Sequence, residues 1–254
     1  MIKVLLSGCN GRMGQTITRI SANNNELKIV AGYDINDSIK NDYPVFVNIE
    51  DCNVDADVII DFSNPNAFEG ILKYAVTRKV PLVLATTGLT PSQRSLLVEA
   101  SEQIPVFSAA NMSYGVNLLI DLVQRAAKAL EGCFDIEIIE KHHNQKLDAP
   151  SGTALEIANA INSVLDQKQE YVYDRHSRRE KRGKNEIGIH AVRGGTIVGE
   201  HSVIFAGNDE IIEIKHTAMS REIFAEGALR AAKFLYDKKP GLYNMTDLIE
   251  SKTI

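Results

Sequence analysis

The sequence predicts two units: an N-terminal doubly wound parallel α/β sheet, then an α+β domain whose sheet is mixed and largely antiparallel. Three observations carry that expectation. Short continuous apolar runs alternate with helical stretches over the first 110 residues, as strands buried on both faces do. A glycine-rich turn follows the first run directly and opens a helix. Beyond Asn111 the order becomes helix, strand, helix and then three strand-like runs separated by turn signals.

The first five strand-like runs are residues 3–7, 28–33, 57–62, 80–85 and 105–108. Val58-Ile59-Ile60 shows no polar alternation, which suits a central parallel strand. Thr90-Pro91-Ser92-Gln93 marks a helix start, with Thr90 as N-cap, Pro91 at the first helical position and Gln93 closing a capping box. Strand, helix and strand at this spacing form right-handed βαβ units.

Val116, Leu119, Ile120, Val123, Ala127 and Leu130 then recur at helical spacing, and Gly132 stops that helix before a strand over 135–140. A helix is expected over 151–165 and strands over 186–193, 196–205 and 210–216. Gly194-Gly195 and Gly207-Asn208-Asp209 are the turns between them, so successive strands should pair antiparallel. Residues 221–236 read as a helix that returns to the first domain. The expected division is 1–112 with 217–254 for a dinucleotide-binding domain, and 113–216 for substrate binding and oligomerisation.

Composition narrows the function. The formal net charge of −5 argues against nucleic acid as a partner. No apolar run approaches the roughly 18 residues of a membrane span, so no membrane partner is expected. Cys9, Cys52 and Cys133 are odd in number and far apart, suggesting neither a disulfide framework nor a thiolate metal site. With no signal-peptide pattern at the start, a cytoplasmic location is expected. Between Arg175 and Lys184 only Glu180 opposes six basic residues; the plain reading is a solvated loop, the functional one a basic rim for an anionic ligand.

Gly8-Cys9-Asn10-Gly11-Arg12-Met13-Gly14 follows the first strand, the context of a Rossmann-type dinucleotide turn, although its spacing is Gly-x-x-Gly-x-x-Gly. Glycines let the backbone approach a pyrophosphate at the helix N-terminus. Asp34 ends the second strand 20 residues after Gly14, where an acid accepts hydrogen bonds from the adenosine ribose. Its charge disfavours a 2'-phosphate, and Ile35 and Asn36 offer no offsetting cation. NADH is therefore expected to be preferred over NADPH, with Arg12 or Lys40 as the possible phosphate partners. Thr86-Thr87-Gly88 and Ala109-Ala110-Asn111 follow later strands on the same edge and should line the nicotinamide end.

The densest chemistry lies between Glu140 and Thr153, where two imidazoles, an ammonium and a helix start fall within fourteen residues. Histidine passes protons near neutral pH, and N–H groups at a helix start bind anions. Lys146, the Ser151 and Thr153 hydroxyls and the Gly152 and Thr153 N–H groups can clamp carboxylates. Adjacent His142 and His143 cannot easily share one metal ion, and His190, His201 and His216 lie on other strands, so no metal is expected.

These motifs resemble the 4-hydroxy-tetrahydrodipicolinate reductase family of lysine and diaminopimelate biosynthesis. The resemblance rests on the glycine turn, Ala85-Thr86-Thr87-Gly88, Ala110-Asn111, the block from His142 to Thr153, and Val192-Arg193-Gly194-Gly195 through Gly199-Glu200-His201. It implies NAD(P)H-dependent reduction of a small dicarboxylate, with His142 as general acid and Lys146 as proton donor or carboxylate anchor. It places substrate on His143, Ser151, Gly152 and Thr153. It places cofactor on Gly8, Cys9, Asn10, Gly11, Arg12, Met13, Asp34, Ala85, Thr86, Thr87, Ala109, Ala110, Asn111 and Met112. It also implies a homotetramer built through the second sheet. Two other readings share the nucleotide turn: another two-domain amino- or imino-acid dehydrogenase, and a non-catalytic NAD(P)-sensing regulator.

Overall fold

A computed structural model of the chain describes residues 1–251. In chain order its elements are β1 (Ile2–Ser7), α1 (Arg12–Ser21), β2 (Leu27–Tyr33), β3 (Val45–Phe46), β4 (Val58–Asp61), α2 (Phe68–Arg78), β5 (Leu82–Leu84), α3 (Pro91–Ser101) and β6 (Pro105–Ser108). Next come α4 (Tyr114–Leu130), β7 (Asp135–His142), α5 (Gly152–Val164), β8 (Glu170–Val172), β9 (Glu186–Arg193), β10 (Gly199–Ala206) and β11 (Ile211–Ala218). The chain closes with α6 (Glu222–Leu235), β12 (Gly241–Tyr243) and α7 (Met245–Glu250). It divides into one unit formed by Met1–Tyr114 with the segment from Glu222 onward, and a second formed by Gly115–Arg221.

The first unit holds a seven-stranded parallel sheet in the order β12-β6-β5-β4-β1-β2-β3. The middles of its central strands, Val4-Leu5-Leu6 and Val58-Ile59-Ile60, are apolar because both faces are covered. Val4, Leu6, Val58, Ile60 and Val83 pack with Ile17 of α1 and with Ala225, Ala228, Ala232 and Leu235 of α6. Leu5, Ile59, Leu82 and Leu84 turn to the other face, against Phe68, Ile71 and Ala75 of α2 and Leu97 of α3. Each fully buried aliphatic side chain contributes about 1.5–3 kcal/mol. Gly227 lets α6 come close, since a Cβ there would lie 1.7 Å from the Met112 carbonyl oxygen. The Thr90 capping box forms, with Thr90 Oγ1 accepting the Gln93 N–H at 3.2 Å and Gln93 Oε1 accepting the Thr90 N–H at 3.0 Å. β5 starts later than its apolar run because Lys79, at φ 55°, ends α2 and Val80 still bonds back to Ala75.

The second unit holds a mixed five-stranded sheet in the order β11-β10-β7-β9-β8. α4 and α5 cover one face, where Leu119, Val123, Ile157 and Ile161 pack on Ile136, Ile138, Ile189, Val203 and Phe205. β10 and β11 form the expected hairpin, in register from Gly199↔Ala218 to Ala206↔Ile211. The Gly194-Gly195 turn does not join paired strands. β7 lies between β9 and β10, parallel to the first and antiparallel to the second. The glycine turn instead crosses the end of β7, with Gly194 N–H donating to the His142 carbonyl at 2.9 Å and Asn144 N–H to the Gly195 carbonyl at 3.2 Å.

In the basic segment Arg178, Arg179, Lys181 and Lys184 are exposed, as a solvated loop requires, but Arg175 and Arg182 turn to the sheet. Arg175 binds Glu186 and Glu137 at 2.9 and 2.7 Å, and Arg182 binds Asp135 and Glu137 at 2.8 and 3.1 Å. Burial opposes ionisation of Glu137, yet His190, Arg182 and Arg175 hold its carboxyl below the usual value. Two of the six cations are thus committed to the sheet. Among the described residues no helix is long and apolar enough to cross a membrane.

Candidate active site

In the first unit the turn after β1 is shaped by glycine. Gly8 has φ 74° and its Cβ would stand 2.6 Å from the Phe62 carbonyl oxygen, while a Cβ at Gly14 would stand 2.2 Å from that of Gly8. Only glycine fits either place. Gly11 is the N-cap of α1 and supplies no side-chain acceptor to the helix start. Asp34 Oδ2 accepts the Asn10 N–H at 2.9 Å and Oδ1 the Asn36 N–H at 3.0 Å. A cleft of about 340 Å³ opens between this turn, Asp34, Ile35 and the Phe62-Ser63-Asn64 segment. The absent Cβ atoms, the helix start and an acid on the cleft fit a dinucleotide.

The other cofactor candidates follow the same sheet edge. Arg12 is exposed, whereas Met13 packs partly against the core. Cys9 is wholly buried, and burial, then the Asp34 charge, pushes its thiol up to about 12; the thiol donates to Asn10 Oδ1 at 3.8 Å within the turn. Asp61 ends β4 fully buried and accepts Thr86 Oγ1 at 2.7 Å and the Ser63 N–H at 3.2 Å. That fixes the loop of Ala85, Thr86 and Thr87. After β6, Ala110 is exposed, Ala109 and Asn111 are half-buried, and Met112 lies in the apolar core. Asn111 Oδ1 accepts the Ser113 N–H at 2.9 Å. No motif marks Asp61; an acid closing an otherwise apolar strand is its only sequence signal.

In the second unit the polar cluster grows from the end of β7. The inward positions Ile136 and Ile138 are apolar, and the next two on that face are Glu140 and His142. Glu140 is 0% exposed. Its Oε2 meets His142 Nδ1 at 2.6 Å and Arg193 Nη1 at 2.8 Å, and its Oε1 meets Arg193 Nη2 at 2.7 Å and the Ser151 N–H at 3.0 Å. Burial works against this charge, but Arg193, His142 and the Ser151 N–H together hold the carboxyl below its usual value.

Ser151 is the N-cap of α5, its Oγ accepting the Ala154 N–H at 3.2 Å and bonding His201 Nε2 at 3.0 Å. It is 2% exposed, and its hydroxyl, expected from the sequence to hold a carboxylate, is engaged here by the helix start and His201. Gly152 is exposed and Thr153 and His143 are half-buried. Lys146 Nζ pairs with Asp148 at 2.9 Å, and this ion pair, with help from the Gly152 N–H, holds the Asp148 carboxyl below its usual value.

His201 is not remote from the cluster as its place in sequence suggests. Its ring lies edge-on to His142 with centroids 5.2 Å apart and planes at 72°. Burial first, and then the neighbouring His142, pushes its pKa down to about 4, so it is neutral at physiological pH. Strand order explains the meeting: β10 pairs with β7, which sets His201 opposite Glu140. The cluster therefore brings an imidazole and a helix start onto one buried carboxylate, with the Lys146 ammonium in the following loop, groups whose chemistry suits proton transfer and anion binding.

Comparison with known proteins agrees over the whole length. The family model described as dihydrodipicolinate reductase, N-terminus, matches residues 2–112, and the one described as dihydrodipicolinate reductase, C-terminus, matches 115–249. The chain is 56% identical over 250 residues to a 4-hydroxy-tetrahydrodipicolinate reductase of Caldanaerobacter subterraneus subsp. tengcongensis, covering 98% of this chain and 99% of the relative. It is 51% identical over 251 residues to one of Clostridium tetani, covering 99% and 98%. A dipicolinate-bound dihydrodipicolinate reductase of Paenisporosarcina sp. TG-14 superposes with a TM-score of 0.82 at 28% identity, covering 96% of this chain and 97% of that one. Glycine turn, histidine block and full-length similarity converge, and the chain belongs to the dihydrodipicolinate reductase family.

Proposed function

We infer that this chain reduces 4-hydroxy-tetrahydrodipicolinate to tetrahydrodipicolinate with NADH or NADPH and loss of water, a step of lysine and diaminopimelate biosynthesis. The observation that carries the reading is His142, held by the buried Glu140 beside the start of α5, in a chain similar to named reductases over nearly its whole length. When bound, the dihydronicotinamide supplies a hydride. The Gly8 to Gly14 turn and the start of α1 take the pyrophosphate, Asp34 the adenosine ribose, and the loops at Ala85 to Thr87 and Ala109 to Met112 the nicotinamide end.

The remaining chemistry belongs to the second unit. Hydride addition to a conjugated imine ring builds negative charge, and a proton from His142 quenches it. With Nδ1 bound to Glu140, Nε2 is the atom that delivers that proton. Lys146, Gly152 and Thr153 hold substrate carboxylates, His143 lines the same loop, and Ser151 keeps the helix start in place.

Asp34, followed in the chain by Ile35 and Asn36 and not by a cation, supports a preference for NADH. The sheet face opposite α4 and α5 carries Ile139, Ile204 and Ile211 beside ion pairs, which supports a homotetramer assembled through it. Three free cysteines suit a cytoplasmic enzyme. The reaction is tested by following NADH and NADPH oxidation with substrate generated in situ by dihydrodipicolinate synthase. Oxidation that requires the synthase product is expected; none with either cofactor overturns the reading. Light scattering of the purified protein tests the tetramer.

A further inference from the structure

We propose that Glu140, clamped by Arg193, is the positioning carboxylate of this site: it fixes the His142 ring with Nδ1 as donor and Nε2 as the transferring atom, and ties that ring to the start of α5. The inference rests on the reading of His142 as general acid. Four donors converge on one wholly buried carboxylate: His142 Nδ1, both terminal nitrogens of Arg193, and the Ser151 N–H, all within 2.6 to 3.0 Å. An ionised carboxylate is acceptor-only, so its partner nitrogen on His142 carries the proton. One side chain thereby sets both the ring form of the proton carrier and its distance from the anion-binding helix start.

The plainer account is an ion pair that staples β7 to β9. Stability alone is a weak reason for it, because a buried ion pair is often no better than apolar residues of the same volume. A staple would also need neither His142 nor Ser151. Arg193 stands opposite His142 in the β7–β9 register, yet its guanidinium reaches back to Glu140 and also donates to the Asp148 carbonyl at 2.6 Å. The glycine turn following Arg193 is pinned to the His142 carbonyl by Gly194. His201, neutral and edge-on, adds no charge that would compete for the ring. The contacts of Glu140 thus join the His142 ring to the start of α5.

The test uses Glu140→Gln and Glu140→Asp in the full-length enzyme. The Gln amide can donate to Nδ1 and reverse the ring form, while Asp keeps the charge but withdraws it by one methylene. Nitrogen-15 NMR of labelled histidine at alkaline pH should show the Nδ1–H form for His142 in the parent and the Nε2–H form in Glu140→Gln. Loss of the correct ring form lowers kcat by about 10² to 10⁴, with a much smaller change in substrate KM and unchanged NADH binding. Glu140→Asp should fall between the two enzymes and decides the question if the Gln variant does not fold. Parent-like kcat with a parent-like ring form in either folded variant overturns the inference. A parent enzyme that does not turn over the substrate overturns the functional reading instead, and the ring form of His142 is still measured.

Discussion

Gly199 of β10 lies beside the Nε2 of His142, and a Cβ built on it would stand 3.2 Å from that nitrogen. The contact is tight enough that the ring must give by a few tenths of an ångström. Gly199→Ala is therefore expected to lower kcat by about 3- to 10-fold, because small displacements of a reacting group are costly. The melting temperature should stay near that of the parent, since φ at this position is not in the left-handed region. Steady-state kinetics with thermal melts check both. A parent-like kcat would show that Nε2 does not need its present position.

The proposed mechanism places the proton transfer on His142 alone. His142→Gln keeps a polar side chain but cannot carry the proton, and kcat should fall by about 10² to 10⁴. NADH binding, followed by fluorescence titration, should change little because the dinucleotide turn is in the other unit. Unchanged kcat would remove His142 from the chemistry.

The contrast between His142 and His201 shows what was legible in the sequence. His142 stands out because its neighbours in the chain are themselves unusual. His201 acts through Ser151, 50 residues away, and its place beside His142 depends on β7 lying between β9 and β10. Tight turns such as Gly194-Gly195 mark where the chain reverses, not which strand fills the gap. The same limit applies to Arg175 and Arg182, whose partners Glu137 and Asp135 lie on a strand some forty residues earlier. By contrast, β4 and the Thr90 cap are local consequences of composition: double-sided burial demands unbroken apolar residues, and a capping box needs only four consecutive positions.

Stability should depend on pH through His201. Its pKa is about 4 in the fold, against 6.5 for the ordinary side chain, chiefly from burial. Between those values the unfolded chain binds a proton that the folded chain refuses. Stability is therefore full above about pH 6.5 and falls through the window at up to about 1.4 kcal/mol per pH unit. His216, also pushed down by burial, acts in the same direction. Glu140 and Glu137 act lower, their carboxyls held down, so their contribution is lost as pH falls below about 4.5. Urea midpoints at about pH 7.5 and about pH 5 should differ less in His201→Gln than in the parent. An equal difference would exclude His201 as the titrating group.

Cofactor choice should follow Asp34 and its neighbour. A carboxylate about 4 Å from a 2'-phosphate costs roughly 1 kcal/mol in water and about 4 at an intermediate dielectric, which is about fivefold to several hundredfold in affinity. Ile35, 77% exposed on the rim of the cleft, supplies no cation. The parent should show higher kcat/KM with NADH than with NADPH, and Ile35→Arg should raise the NADPH value with less effect on NADH. Equal kcat/KM for the two cofactors in the parent would defeat this preference.

Asp148 holds two of the groups proposed to bind a substrate carboxylate. Its carboxyl draws the Lys146 ammonium to 2.9 Å and is further stabilised by the Gly152 N–H at the start of α5. Binding of a dianionic substrate must then exchange one carboxylate for another at Lys146, so part of the binding energy goes into displacing Asp148. The Asp148 side chain is 58% exposed, which makes that displacement cheap and keeps the ion pair near the 0.2–1 kcal/mol range of surface pairs. Asp148→Asn should therefore lower the substrate KM by about two- to fivefold, with kcat and NADH binding little changed. A higher KM would mean that Asp148 orients Lys146 for the substrate and does not compete with it.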